Sequence, residues 1–167
     1  MRRLCLAAGL LVALPGALGC TSKPKAHIEV DGIKKDLPID VVLNTHNGGY
    51  HGIHMYANCP TVACYPTGLA PLIGELKAKC PNVEVVQVEM TWPAKGAPAA
   101  LPAAAYTGQG PPRLSASYVT AAKDHMFHGA TLQLTSASPL AGKLEAKDGA
   151  RSLSATFSGG ITCAKND

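Results

Sequence analysis

The chain has little with which to bind nucleic acid or to cross a membrane a second time. Fifteen Lys and Arg residues stand against eleven Asp and Glu, and two of the basic residues are Arg2 and Arg3 at the very start. The remaining charges nearly balance and are scattered rather than clustered, which argues against a nucleic-acid partner. After residue 20 there is no uninterrupted run of about 18 apolar residues, so no further membrane span is expected.

Catalytic motifs and aromatic side chains are also scarce. The sequence contains no Gly-x-Ser-x-Gly, no His-Glu-x-x-His and no phosphate-binding Gly-Lys-Ser/Thr loop. Gly108-Gln109-Gly110 is followed by two prolines, so it cannot open a helix as a dinucleotide-binding loop does. Because aromatic residues make up only 5% of the chain, a core must rest on Val, Ile, Leu and Ala. These features favour a binding or structural role over catalysis.

The first twenty residues carry the most specific pattern. Two arginines open the stretch, an uncharged apolar run follows, and it ends in Ala17-Leu18-Gly19-Cys20. A basic start, a short apolar core and a small-residue exit are typical of a secretory signal. The apolar run is shorter than the roughly 20 residues that a membrane span needs. The sequence therefore predicts export.

Ala17-Leu18-Gly19-Cys20 resembles the lipobox of bacterial lipoproteins, in which the cysteine is lipidated and becomes the mature N-terminus. The resemblance covers only the first twenty residues. It implies a signal peptide over 1–19, a lipidated N-terminus and tether over 20–26, and attachment to the bacterial membrane through Cys20. Because residue 21 is not Asp, the resemblance also implies the outer membrane if the organism is Gram-negative. The alternative is an ordinary secretory signal that happens to end in a cysteine.

Four cysteines follow the signal: Cys59, Cys64, Cys80 and Cys163. An even number of cysteines in an exported chain predicts two disulfides. Three connectivities are possible, and we favour Cys59–Cys64 together with Cys80–Cys163. A metal–thiolate site is the alternative for these residues, but no second close Cys/His pair completes it.

Alternation of apolar and polar residues predicts a mainly β domain. The strands are expected at 27–30, 33–36, 39–45, 50–57, 83–90, 114–119, 128–135, 140–146 and 153–163. Asp31-Gly32 and Asp148-Gly149 are hairpin turn signals. Short strands with frequent turns indicate an antiparallel β-sandwich or a partly closed barrel, as one domain over 27–167.

Two segments depart from the strand pattern. Apolar residues at helical spacing predict one short helix over about 69–79, with Pro81 ending it. Residues 93–112 hold five Pro, seven Ala and three Gly. We interpret this Pro/Ala-rich stretch as a long surface loop within one domain, because a linker would leave flanks too small for independent cores.

The histidines are the only unusual polar feature. His51 and His54 lie next to Met55, and His125 and His128 flank Met126. Imidazole with thioether suits copper, and imidazole with a carboxylate such as that of Asp124 suits zinc. Residues three apart on a strand point to opposite faces, so either histidine pair could chelate only in a kinked or helical segment. His46 and His54 could instead face each other across the first hairpin, and the simplest interpretation is that the histidines are turn and surface residues.

These observations lead to a leading function and one alternative. We expect a membrane-anchored exported lipoprotein with a non-catalytic binding or structural role in the cell envelope, acting on an unknown envelope ligand or protein and requiring no cofactor. The alternative is a periplasmic copper- or zinc-binding protein that uses His51, His54, His125 and His128.

Overall fold

The computed structural model describes residues 23–93 and 96–163. The predicted signal peptide and the lipidation site Cys20 lie outside the described residues. Within them the chain forms eleven strands and one short helix, which confirms a mainly β fold with a single short helix. The strands are β1 (Lys25–Val30), β2 (Ile33–Pro38), β3 (Val41–Asn47), β4 (Tyr50–Ala57), β5 (Glu84–Thr91), β6 (Ala105–Tyr106), β7 (Arg113–Val119), β8 (Asp124–Phe127), β9 (Gly129–Ala137), β10 (Leu140–Asp148) and β11 (Arg151–Cys163), and the helix is α1 (Ile73–Leu76). β1 thus begins inside the stretch that was expected to be a tether.

The long strand β11 joins the two halves of the sheet. Its first part lies between β10 and β1, and its last three residues pair in parallel with β3. The result is one continuous sheet in the order β6-β9-β10-β11-β3-β4-β5-β7-β8, with the β1–β2 hairpin added beside β11. The sheet is mixed rather than wholly antiparallel, because of the β11–β3 pair, and it is not closed into a barrel.

The two halves of this sheet pack against one shared hydrophobic core. Leu144 and Leu153 contribute from one half, and Ile53, Val88 and Phe127 from the other, all almost fully buried. The period-two alternation that predicts the strands places these side chains on the inner face. Each such side chain stabilises the fold by roughly 1.5–3 kcal/mol relative to leaving it exposed.

A smaller cluster lies on the outer face of β3, β4 and β5. It contains Leu43, Tyr56 and Val85 and is covered by the segment 58–83, which includes α1. The predicted helix over 69–79 is wrong in length, since only Ile73–Leu76 is helical. Leu72, which follows Pro71, is extended (φ −75°, ψ 147°) and its side chain is 71% exposed. The apolar spacing in this segment is therefore not a buried helical stripe.

Four cysteines form two disulfides, as predicted, but the favoured pairing is wrong. Cys59 bonds to Cys80, and Cys64 bonds to Cys163, with Cα–Cα distances of 5.5 Å in both bridges. The reason is the antiparallel pairing of β4 with β5, which brings the two ends of their connection together. Cys59 and Cys80 occupy those ends, while Cys64, in the middle of the connection, reaches the end of β11.

The Pro/Ala-rich stretch packs on the core over part of its length. Leu101 is 2% exposed, and Tyr106 in β6 is also buried. The Leu134 N–H donates to the Ala104 carbonyl at 2.8 Å, and β6 pairs with β9. This part of the expected surface loop therefore has fixed contacts. No helix within residues 23–93 and 96–163 has the length and apolar character of a membrane span.

Candidate functional site

The four histidines predicted as metal ligands do not assemble into one site. His51 is fully buried on the core face of β4, whereas His54 is half-buried on the outer face. His125 is buried and stacks on Tyr118 with ring centroids 5.9 Å apart, and His128 is exposed between β8 and β9. Over residues 23–93 and 96–163, no group of three or more His, Cys, Asp or Glu side chains is placed to hold a metal ion.

The two methionines next to these histidines also differ in their exposure to solvent. Met55 is completely buried in the core, while Met126 is 41% exposed. His125 and Met126 are neighbours on the strand β8, so their side chains point to opposite faces. The local sequence clusters therefore do not correspond to clusters in space.

His51 instead pairs with His46 across the β3–β4 hairpin. Their ring centroids are 4.4 Å apart with an interplanar angle of 26°, and the Trp92 ring makes a T-shaped contact with His51, with centroids 5.6 Å apart. This partner was missed because the strand was expected to end at residue 45, which left the cross-strand partner of His46 undefined; His54 was the partner considered. Only Gly48 and Gly49 lie between the paired residues Asn47 and Tyr50. Gly48 has φ 60°, as in a typical two-residue hairpin turn.

The tautomer of His51 is fixed by a backbone carbonyl. Its Nε2 lies 2.6 Å from the Pro98 oxygen. A carbonyl oxygen only accepts hydrogen bonds, so Nε2 must carry the proton and Nδ1 must present a lone pair. Burial lowers the pKa of His51, the Pro98 carbonyl opposes this shift and His46 adds to it. The ring is accordingly neutral at neutral pH.

Two ring nitrogens of this imidazole pair are buried without a partner. Among the described residues, neither His51 Nδ1 nor His46 Nε2 has a hydrogen-bond partner. An unpaired buried acceptor costs about 1–3 kcal/mol, so most such atoms in folded proteins are satisfied. A neutral imidazole nitrogen with an available lone pair is also the commonest metal ligand that proteins offer. The pair His46/His51, with Trp92 at its edge, is the candidate metal centre.

On the outer face of the same hairpin, three polar groups converge over Gly52. A Cβ at this position would lie 2.6 Å from His54 Nε2, 2.6 Å from Tyr50 Oη and 2.8 Å from Thr45 Oγ1. The Thr45 hydroxyl contacts His54 Nε2 at 3.3 Å, and Tyr50 donates to Glu89 at 3.3 Å. The side chains fill the space that glycine leaves, so this cluster is a packing arrangement rather than a ligand site.

The pKa values on this outer face follow from burial. Desolvation lowers the pKa of His54 to about 4, so its ring is neutral over the physiological range. Desolvation, reinforced by the neighbouring Glu89 carboxylate, raises the pKa of Tyr50. Both groups are thus held in their neutral forms, as expected for hydrogen-bonded side chains that fix the hairpin.

A buried carboxylate network lies at the start of β5, around Glu84. Glu84 is 8% exposed, and it accepts hydrogen bonds from Tyr118, Lys35 and Asn58, the last at 3.4 Å. Burial and the bond to Glu84 raise the pKa of Tyr118. An open cleft of about 840 Å³ borders this network. Since donors from three separate segments meet at the Glu84 carboxylate, the network primarily joins β2, β7 and the start of the 58–83 segment.

Comparison with family models, curated proteins and solved structures finds no match for this chain. The functional argument therefore rests on the geometry of the chain itself.

Proposed function

We propose that the protein is an exported, lipid-anchored component of the cell envelope with a non-catalytic binding role, and that it binds a transition-metal ion through His46 and His51. Export and anchorage are supported by the lipobox-like segment ending in Cys20. Two disulfides fit an oxidising compartment, because such bonds persist mainly outside the cytoplasm. The proposed ligand set replaces the sequence-based set of four histidines.

The single observation that carries the metal proposal is the buried, unpartnered Nδ1 of His51. The Pro98 carbonyl binds the other ring nitrogen, and a hydrogen bond of this kind usually orients a metal-binding imidazole. Such support fixes both the tautomer and the ring orientation before the metal arrives. A buried histidine that served only as packing would also need a partner for Nε2, so the unpaired Nδ1 is what distinguishes this ring.

His46 must turn for both rings to bind one ion. Stacked rings 4.4 Å apart direct their lone pairs side by side, whereas a shared metal must lie in the plane of each ring. His46 is half-buried next to the hairpin turn, so rotation of its side chain is less hindered than rotation of the fully buried His51. His51 is the fixed ligand and His46 the mobile one.

The surroundings of His51 favour binding over catalysis. The described groups around it are the His46 ring, the Trp92 ring, the Pro98 carbonyl and Met90, which lies opposite it on β5. None of these groups is a nucleophile that a neutral imidazole could activate. The imidazole pair is therefore suited to hold an ion.

The metal content of the mature protein, purified from its native envelope without chelators, tests this function. We expect one bound copper or zinc ion per chain, lost in His46→Ala, which removes a half-buried side chain and should leave the fold intact. His128→Ala is the matched control, since that exposed histidine lies away from the pair and its removal should leave the metal in place. Absence of metal, with no heat stabilisation on adding copper or zinc, would overturn the metal-binding function.

Membrane attachment tests the anchor separately. Cys20→Ser should move the protein from the membrane fraction to the soluble fraction, because the lipid is the proposed attachment. Continued membrane attachment of this variant would refute the lipid anchor and leave the metal proposal unaffected.

A further inference from the structure

We infer that the ion is copper(I) and that the sulfur of Met90 completes the ligand set with His46 and His51. This inference rests on the proposed function of the imidazole pair and specifies the metal and its third ligand.

The sheet register places the three side chains in one row. His46 on β3 pairs with His51 on β4, and His51 pairs with Met90 on β5. Directly opposed residues of antiparallel strands point to the same face, with Cβ atoms about 4.5–5.5 Å apart. Met90 is completely buried on this face. Two imidazoles and one thioether therefore lie side by side on three neighbouring strands.

The chemistry of this row favours a soft ion. A thioether is a weak ligand for zinc, and it selects copper(I) among the metals that imidazole also binds. The hydrogen bond between His51 Nε2 and the Pro98 carbonyl leaves Nδ1 as the ring nitrogen that is free to bind the ion. The row thus combines the two neutral ligand types that copper(I) accepts together.

The charge of the site also favours a monovalent ion. All three side chains are neutral ligands, and their neighbours on the same face are neutral as well: Asn44, Ile53, Val88 and Leu114. The cost of transferring an ion from water into a protein interior grows with the square of its charge. Without a carboxylate in the row, a divalent ion would meet about four times the desolvation cost of a monovalent one.

Trp92 and the segment around Pro98 enclose the fixed ligand. Trp92 is half-buried, packs against the core and makes a T-shaped contact with the His51 ring. The Pro98 carbonyl binds the Nε2 atom of that ring. An ion at His51 Nδ1 would therefore be shielded from water on the core side, which disfavours the strongly hydrated divalent ions and stabilises the reduced state of copper.

Competition between the purified full-length protein and a colorimetric copper(I) chelator, under anaerobic reducing conditions, tests the inference. The reductant must leave both disulfides intact, and this is checked by showing that their cysteines resist alkylation. Met90→Leu conserves volume and should cost little stability. We expect it to weaken copper(I) binding by roughly tenfold or more while leaving zinc(II) binding unchanged. Met55→Leu is the matched control, because Met55 lies on the same face of β4 and is equally buried but two rows away.

The outcomes separate this inference from the proposed function. Copper(I) binding that Met90→Leu weakens and Met55→Leu preserves supports it, as does X-ray absorption showing a copper-bound sulfur that is lost in Met90→Leu. Unchanged copper(I) binding in Met90→Leu, or zinc(II) binding with no competition for copper(I), overturns the copper(I) site and leaves His46 and His51 as a metal site. No binding of either ion overturns both.

Discussion

Replacing Gly52 by alanine should destabilise the first hairpin by a predictable mechanism. The new Cβ would lie within 3.0 Å of three side-chain atoms, belonging to Tyr50, His54 and Thr45. Real Cβ atoms do not approach other heavy atoms so closely, so all three side chains must move. Movement breaks the contact between His54 and Thr45, and it weakens the hydrogen bond from Tyr50 to Glu89.

The expected loss in the free energy of unfolding is about 1–4 kcal/mol. Overpacking a filled site costs about 1–3 kcal/mol. The two weakened hydrogen bonds add about 1 kcal/mol each at most. Alanine recovers about 0.5–1 kcal/mol of the conformational entropy that glycine loses in a strand, which offsets part of the sum.

Urea unfolding of Gly52→Ala and Gly74→Ala provides the comparison. Gly74 lies in the short helix and has open space where a Cβ would be added, so its replacement should leave stability unchanged or raise it by up to about 1 kcal/mol. NMR titration adds a second readout, because displacing the His54 ring toward water should raise its pKa from about 4 toward the ordinary value. Gly52→Ala with wild-type stability and an unchanged His54 pKa would refute the packing argument.

Three further predictions test the pH response, the disulfides and the carboxylate network. His54 has a folded-state pKa of about 4, below its ordinary value of about 6.5, so the unfolded chain binds more protons between these values. The contribution of His54 to the free energy of unfolding should be complete above about pH 6.5 and should fall as the pH drops toward about 4. His54→Gln should flatten this pH dependence in urea unfolding. Cys59→Ser should expose Cys80 to alkylation in non-reducing mass spectrometry, whereas alkylation of a different cysteine would disprove the pairing. Tyr118→Phe should lower the free energy of unfolding by about 1–3 kcal/mol, because it removes a donor from a buried carboxylate. Tyr65→Phe, at an exposed tyrosine that also donates to a glutamate, should stay within about 0.5 kcal/mol of wild type; equal losses in both variants would contradict the role of burial.

The strands were predictable because their pattern is local. Period-two alternation sets both the existence of a strand and its buried face, and β9 and β10 follow it closely. The helix prediction failed because Leu69 and Leu72 have helical spacing but remain 48% and 71% exposed, with Pro71 between them. Apolar spacing cannot distinguish a buried stripe from apolar residues on an exposed connection.

β8 was missed for a related reason. Asp124–Phe127 is only four residues long and contains His125 and Met126, so it resembled a polar cluster. Its alternation is nevertheless regular, with His125 and Phe127 buried and the other two residues exposed. Pairing with β7 and burial of Phe127 in the core supply the stabilisation that the short local pattern does not reveal.

The disulfide pairing depends on contacts between distant parts of the chain. Cys59 and Cys80 are 21 residues apart, and they become neighbours only when β4 pairs with β5. Cys64 and Cys163 are 99 residues apart and meet because the end of β11 lies beside β3. Closing these loops contributes about 3 and about 4.7 kcal/mol in the chain-entropy account, so the longer bridge has the larger expected effect. Neither juxtaposition is encoded in cysteine spacing.

The candidate metal centre is decided by register rather than by sequence proximity. His51 and His54 are close in the sequence, but residues three apart on a strand point to opposite faces. A four-residue turn over 46–49 would leave His46 inside the turn without a cross-strand partner, whereas the two-residue turn pairs His46 with His51. The same register then places Met90 next to His51, from a strand more than thirty residues later. A slip of one residue in either pairing would move a ligand to the other face, so the proposed site and the β3–β4–β5 register should be gained or lost together.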